Sequence, residues 1–162
     1  MSELPDRYWD ACAFLGWLAE EPGRVDKCQL VLDAAEAGKL TIVTSTFTLV
    51  EVIRLKSKTP LPPDLQPKLE NFFKQPYIVL REVTRRTGEM ARLAVWEYGV
   101  EPKDAIHVAT ALQAELQYLD TFDDALIGKS GKIGNPPLII GEPYVPGQGE
   151  LGFGEEPDLG ND

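Results

Sequence analysis

Short runs of β-branched and aromatic residues alternate along this chain with longer stretches of helical apolar spacing, and that alternation limits the possible folds most. RYWD (7–10), LTIVTS (40–45), YIVLREV (77–83), LQYLDT (116–121) and PPLII (136–140) read as strands. Between them lie ACAFLGWLAE (11–20), VDKCQLVLDAAEAGK (25–39), a helix opening at Thr46 with Glu51 in its second turn, and a Pro-interrupted link with a short helix (61–74). TRRTGEMARLAVWEYG (84–99), EPKDAIHVATAL (101–112) and the single turn FDDALIG (122–128) complete the helices, with Gly38 and Gly99 as stop signals and Pro102 suited to a first turn. Strands separated by helices predict a single three-layer α/β/α domain, with a mainly parallel sheet covered on both faces. In such sheets the working site lies beyond the carboxyl ends of the strands.

The domain is expected to span residues 1–140. Residues 141–162, GEPYVPGQGELGFGEEPDLGND, hold six acids and no bases among glycines and prolines, and are expected to form an acidic, flexible, disordered tail. They also distort the charge, which is −10 for the whole chain but 20 acids against 16 bases, or −4, over residues 1–140. Global charge therefore decides little about partners. No apolar run is long enough to span a bilayer, and nothing at the start resembles a signal peptide, so a soluble cytoplasmic protein without a membrane role is expected. Cys12 and Cys28 lack CxxC spacing and read as reduced thiols, and a single histidine excludes a His-rich metal site.

Four acids fall at the predicted site edge. Asp10 ends the first strand, Asp123 follows the fourth by two residues, Asp104 lies in the first turn of its helix and Glu51 lies near the start of another. Four carboxylates on one rim repel one another unless a divalent cation lies among them, and hard oxygen donors select Mg²⁺ or Mn²⁺ over zinc. Such a centre suits phosphodiester hydrolysis. Basic residues flank three of the acids: Arg54 and Lys56 after Glu51, Lys103 before Asp104, and Lys129 after Asp123. These are the candidate phosphate contacts. Thr121 and Asp124 are candidate supporting residues, Asp124 also reading as a cap for the short helix after it.

YWDACAFL, TFTLVEVIRL, PKDAIHVATAL and YLDTFDDAL, in this order and spacing, resemble the PIN domain, the fold of VapC-type toxins and related ribonucleases. The resemblance covers roughly residues 7–140, and its most specific piece is the KDAIHVATAL helix followed by T-x-D. It implies a metal-dependent endoribonuclease acting on single-stranded RNA, with Asp10, Glu51, Asp104 and Asp123 as both the catalytic and the metal-binding cluster. Hydrolysis would leave a 5′ phosphate. It also implies a toxin–antitoxin module, an antitoxin protein as partner and a homodimer.

The sequence departs from the family pattern in three places. Cys12 stands where the family often has Ser, Thr or Asn, Asp120 interrupts the fourth strand, and Asp124 adjoins Asp123. Cys12 keeps open a catalytically weak module that binds RNA or a partner; a housekeeping RNA-processing nuclease is the other alternative. An aspartyl phosphotransferase is disfavoured, because its second acid would stand at position 12. His107 reads as a core histidine bonded to a neighbour. Trp9, Phe14, Trp17 and Trp96 read as core, not as base-stacking platforms.

Overall fold

The computed structural model describes residues 4–52 and 62–147. Its centre is β1 (Arg7–Trp9), three wholly buried residues that pair on one side with β2 (Ile42–Ser45) and on the other with β4 (Tyr118–Asp120). β3 (Ile78–Arg81) lies outside β2 and β5 (Ile139–Gly141) outside β4, giving the order β3-β2-β1-β4-β5 with every pair parallel. The mainly parallel sheet expected from sequence is therefore parallel throughout the described residues.

Alternation along β1 feeds two cores. Trp9 faces the layer of α1 (Ala11–Leu18), α2 (Val25–Glu36) and α4 (Leu65–Phe73), where Phe14, Leu32 and Phe72 are buried with it. Tyr8 faces the opposite layer of α5 (Arg85–Tyr98), α6 (Pro102–Gln113) and α7 (Asp124–Ile127), packed through Ala91, Val108 and Leu126. α5 begins at a capping box formed by Thr84 and Thr87 and stops at Gly99, whose φ of 67° is left-handed. No helix among the described residues is long and apolar enough to cross a membrane.

Several boundaries move, each for a physical reason. The helix expected from Thr46 is the single turn α3 (Thr48–Glu51), because Val52 leaves the helical region at φ −85°, ψ 60°. Glu51 thus stands in an only turn, not a second one, and Arg54 and Lys56 lie outside the described residues. The last strand starts at Ile139, not Pro136; Pro136 and Pro137 have no N–H for the ladder, and Ile139 is the residue whose N–H reaches Gln117 O, at 2.9 Å. Trp96 is 70% exposed, contrary to the core reading. α5 buries the stripe Thr87, Ala91 and Ala94, and two residues further on Trp96 points away from it, beneath the Arg92 guanidinium at 5.0 Å.

The packed body also runs past residue 140. Gly141 ends β5, Glu142 pairs with Lys27, and Val145 is buried in the α1–α2 core. Tyr144 covers Arg7, whose guanidinium carbon lies 4.5 Å from its ring centre and 4.5 Å from that of Tyr118. The boundary expected at 140 therefore falls inside the last strand, and the residues beyond 147 lie outside those described.

Asp120 explains how an acid can interrupt a buried strand. Both its oxygens accept from Arg7, Nε at 2.8 Å and Nη2 at 2.7 Å, and Trp9 Nε1 donates to Oδ2 at 3.0 Å. Burial raises the carboxyl pKa, and the Arg7 and Trp9 bonds oppose it. Removing one partner of a buried pair leaves the other charge uncompensated. Asp120→Ala should accordingly cost about 3–5 kcal/mol of unfolding free energy in urea titrations; a cost under about 1 kcal/mol would show that the pair does not hold β1 to β4.

Candidate active site

The chain leaves β1 toward β2 on one side, and β4 arrives on the other only after the α5–α6 excursion. The carboxyl ends of β1 and β4 therefore flank the point where strand order reverses, the position at which open α/β sheets bind ligands. Asp10, Thr121 and Asp123 all leave the sheet there.

Asp10 is extended at φ −85°, ψ −179°, which lets it serve as N-cap of α1: Oδ1 accepts from Ala13 N–H at 3.1 Å. Oδ2 accepts from Thr121 Oγ1 at 2.5 Å, and the same hydroxyl accepts from Asp123 N–H at 3.1 Å. Thr121 thus joins the ends of β1 and β4 and supports Asp10. Asp10 is only 2% exposed, and burial raises its pKa to about 6, with His107 and then the Thr121 and Ala13 bonds pulling it down and Asp104 pushing it up.

Asp104 lies in the first turn of α6 at 9% exposure. Its pKa is raised by burial and then by Asp123, against the pull of Lys103. Asp123 caps α7 by accepting from Ala125 and Leu126 N–H at 2.9 and 3.2 Å, both on Oδ1. The cap is therefore Asp123 itself, while Asp124 is the exposed first helical residue and makes no such bond. Cys12 reports how close these acids lie. Its thiol is pushed up to about 12, first by burial and then by Asp10, Asp123 and Asp104 together.

Glu51 is bonded to α6 rather than to these acids. Its Oε1 lies 2.5 Å from His107 Nε2, and His107 Nδ1 lies 2.6 Å from the Tyr8 hydroxyl. His107 is buried, as a core histidine bonded to a neighbour should be. That the neighbour is Glu51, 56 residues away, could not be read from the sequence; the only signal was its position one turn after Asp104 on the same helix. Of the basic candidates, Lys129 lines a cleft of about 50 Å³ with Asp104, Glu101 and Ala125, and Lys103 is exposed beside Asp104.

The donor set is suited to a hard divalent ion. Asp10, Asp104 and Asp123 supply oxygens only, Asp10 is buried without a cationic partner bonded to it, and Asp123 opposes the ionisation of Asp104. Among the described residues no three His, Cys, Asp or Glu side chains are drawn together into a ready-made cage. Mg²⁺ does not need one, since it usually keeps several waters and takes one or two carboxylates.

Comparison with known proteins identifies the family. The PIN domain family model matches residues 7–131. The chain belongs to the PIN domain family. Among solved structures it is similar to Mycobacterium tuberculosis VapC20, a Sarcin-Ricin loop cleaving toxin, at TM-score 0.57 and 14% identity over 73% of this chain and 90% of that one. It is also similar to VapBC2 from Rickettsia felis bound to a promoter DNA fragment, at TM-score 0.58 and 17% identity over 85% and 98% of the two chains. A toxin–antitoxin complex from Klebsiella pneumoniae matches at TM-score 0.52 and 19% identity over 73% and 87%. No curated protein matches the chain at a significant level.

The raised Asp10 pKa has a consequence for stability. Its folded value, about 6, stands above an unfolded carboxyl near ~3.9, so the folded protein binds more protons between those values. Stability contributed by this group is complete below about pH 4 and is lost as pH rises through about 6. In metal-free buffer at pH 7.5, Asp10→Asn should therefore be more stable than the parent, by on the order of 2 kcal/mol, and the gain should vanish at pH 4. Equal urea midpoints for the two proteins at pH 7.5 would contradict the burial argument.

Proposed function

We propose that the protein is a Mg²⁺- or Mn²⁺-dependent endoribonuclease that hydrolyses phosphodiester bonds in single-stranded RNA and leaves a 5′ phosphate. The observation that carries this reading is that Asp10, Asp104 and Asp123 all act on the half-buried Cys12 thiol at the strand-order switch point. Asp10, Asp104, Asp123 and Glu51 are the residues that would hold the ion. When bound, a divalent ion at such a centre supplies a water of lowered pKa and positive charge for the phosphate.

The protein's own groups do the remaining work. Thr121 holds Asp10 in one rotamer through Oδ2, and the α1 N-terminus holds its other oxygen. Lys103 and Lys129 stand on the exposed side of Asp104, where the sugar–phosphate chain would enter, and each supplies a cation to a body with no general positive charge. Burial of the site removes competing water and strengthens every charge interaction within it.

The similarity to VapBC2 and to the Klebsiella toxin–antitoxin complex supports a cytoplasmic toxin, held by an antitoxin protein. The exposed Leu93 and Trp96 on α5 support a homodimer, since large apolar side chains on a helix face gain from a partner. A second reading, an RNA- or partner-binding module with little catalysis, is favoured by Cys12 and by the absence of a ready-made cage among the described residues.

One experiment separates the two. Purified protein is incubated with single-stranded RNA and Mn²⁺, with and without chelator, beside Asp10→Asn and Asp104→Asn. The nuclease reading expects cutting that chelator abolishes and that each variant lowers on the order of 100-fold. Equal cutting by all three proteins, or none by the parent with Mn²⁺ bound no better than by Asp10→Asn, would remove it.

A further inference from the structure

Glu51 is the least supported of the four acids by its own element. It ends a single helical turn, which has no stability in isolation, and Val52 already leaves the helix. What fixes it lies elsewhere, on α6. His107 is 1% exposed and bonds Glu51 Oε1 through Nε2, while the Phe47 ring, just before the turn, lies 5.8 Å from the imidazole. One α6 side chain therefore touches both ends of the turn that carries Glu51.

Both imidazole nitrogens are engaged. An ionised Glu51 can only accept, so Nε2 carries a proton. Tyr8 is 0% exposed, and its hydroxyl lies 2.6 Å from Nδ1, so it can satisfy the other nitrogen by donating to it. The line of contacts runs from the Tyr8 hydroxyl to Nδ1 and from Nε2 to Glu51 Oε1. Tyr8 is held in turn by its place in the central strand, one residue before Trp9 and two before Asp10.

We propose that His107 is a positioning residue for the nuclease centre, held between the Tyr8 hydroxyl at Nδ1 and Glu51 at Nε2 so that it fixes the Glu51 carboxylate through Oε1. The proposal rests on the nuclease reading above. It gives His107 no proton transfer with RNA. Its role is to turn a carboxylate on a marginal turn into a fixed ligand, much as outer-sphere partners orient ligands in other metal sites.

The test uses the full-length protein and the variants His107→Leu, His107→Gln, Glu51→Gln, His107→Leu combined with Glu51→Gln, and Asp10→Asn. Three quantities are read: kcat and KM on a single-stranded RNA oligonucleotide with Mn²⁺, Mn²⁺ affinity from the free-ion paramagnetic resonance signal, and thermal melting. His107→Leu should lower kcat and weaken Mn²⁺ binding by roughly 10–100-fold, with KM for RNA unchanged. His107→Gln carries an amide N–H near the Nε2 position, so it should recover most of both, and it serves if the leucine variant fails to fold. In the Glu51→Gln background, His107→Leu should add no further loss. Wild-type kcat and Mn²⁺ affinity in both His107 variants, with Asp10→Asn inactive, would overturn the proposal and leave the nuclease reading standing. So would a further loss of the same size on top of Glu51→Gln, the mark of a merely structural histidine. Asp10→Asn cutting like the parent would overturn both.

Discussion

Asp10 is placed where the fold offers it least water. It follows the central strand of a parallel sheet, is 2% exposed, and lies in the opposing fields of His107 and Asp104. A carboxylate so placed has two ways of lowering its free energy: it can take a proton, or it can share a cation. Thr121 and the α1 N-terminus partly replace lost hydration, but they do not neutralise charge. The same strand carries the contrasting solution. Arg7 enters at the opposite end of β1 and pairs with Asp120 through both oxygens, under the rings of Tyr118 and Tyr144. One buried acid is given a protein cation and becomes structural; its neighbour across the switch point has none bonded to it, which is the state a metal ligand requires.

Topology makes the second case available. Because β4 returns beside β1 after the α5–α6 excursion, residues more than a hundred positions apart in sequence leave adjacent strand ends. The Thr121 hydroxyl, between the Asp10 carboxylate and the Asp123 N–H, is the local expression of that adjacency. α6 then brings two side chains of different use. Asp104 is in its first turn, where the helix N-terminus favours negative charge, and His107 lies one turn deeper, where it meets Tyr8 and Glu51.

How much of this the sequence could show depends on how local each cause is. The alternation of strands and helices was legible because its causes lie within a few residues: β-branched runs, Gly38 and Gly99 as stops, and Pro102 at a first turn. Asp10 and Asp123 were legible as site candidates because strand ends are where such sheets work. The reach of the helix after Thr46 was not, since α3 ends where Val52 leaves the helical region rather than at a Gly or Pro. The meaning of Asp120 depended on Arg7, 113 positions away, and an acid in a strand looked like a fault until its partner was known. Trp96 was misread because apolar character alone does not say which side of α5 is buried; the Thr87, Ala91 and Ala94 stripe does. Tyr144 and Val145, both packed, were hidden by the Gly/Pro-rich composition of the segment in which they lie.

The central claim is that the carboxylates at the ends of β1 and β4 are held for a divalent ion, which must displace protons from any that carry them. Calorimetric titration of Mn²⁺ at pH 6, in two buffers of different ionisation heat, measures that displacement directly. With Asp10 titrating near pH 6, binding should release protons from the parent protein, and Asp10→Asn should bind weakly with little release. Equal affinity and equal proton release in the two proteins would contradict the account.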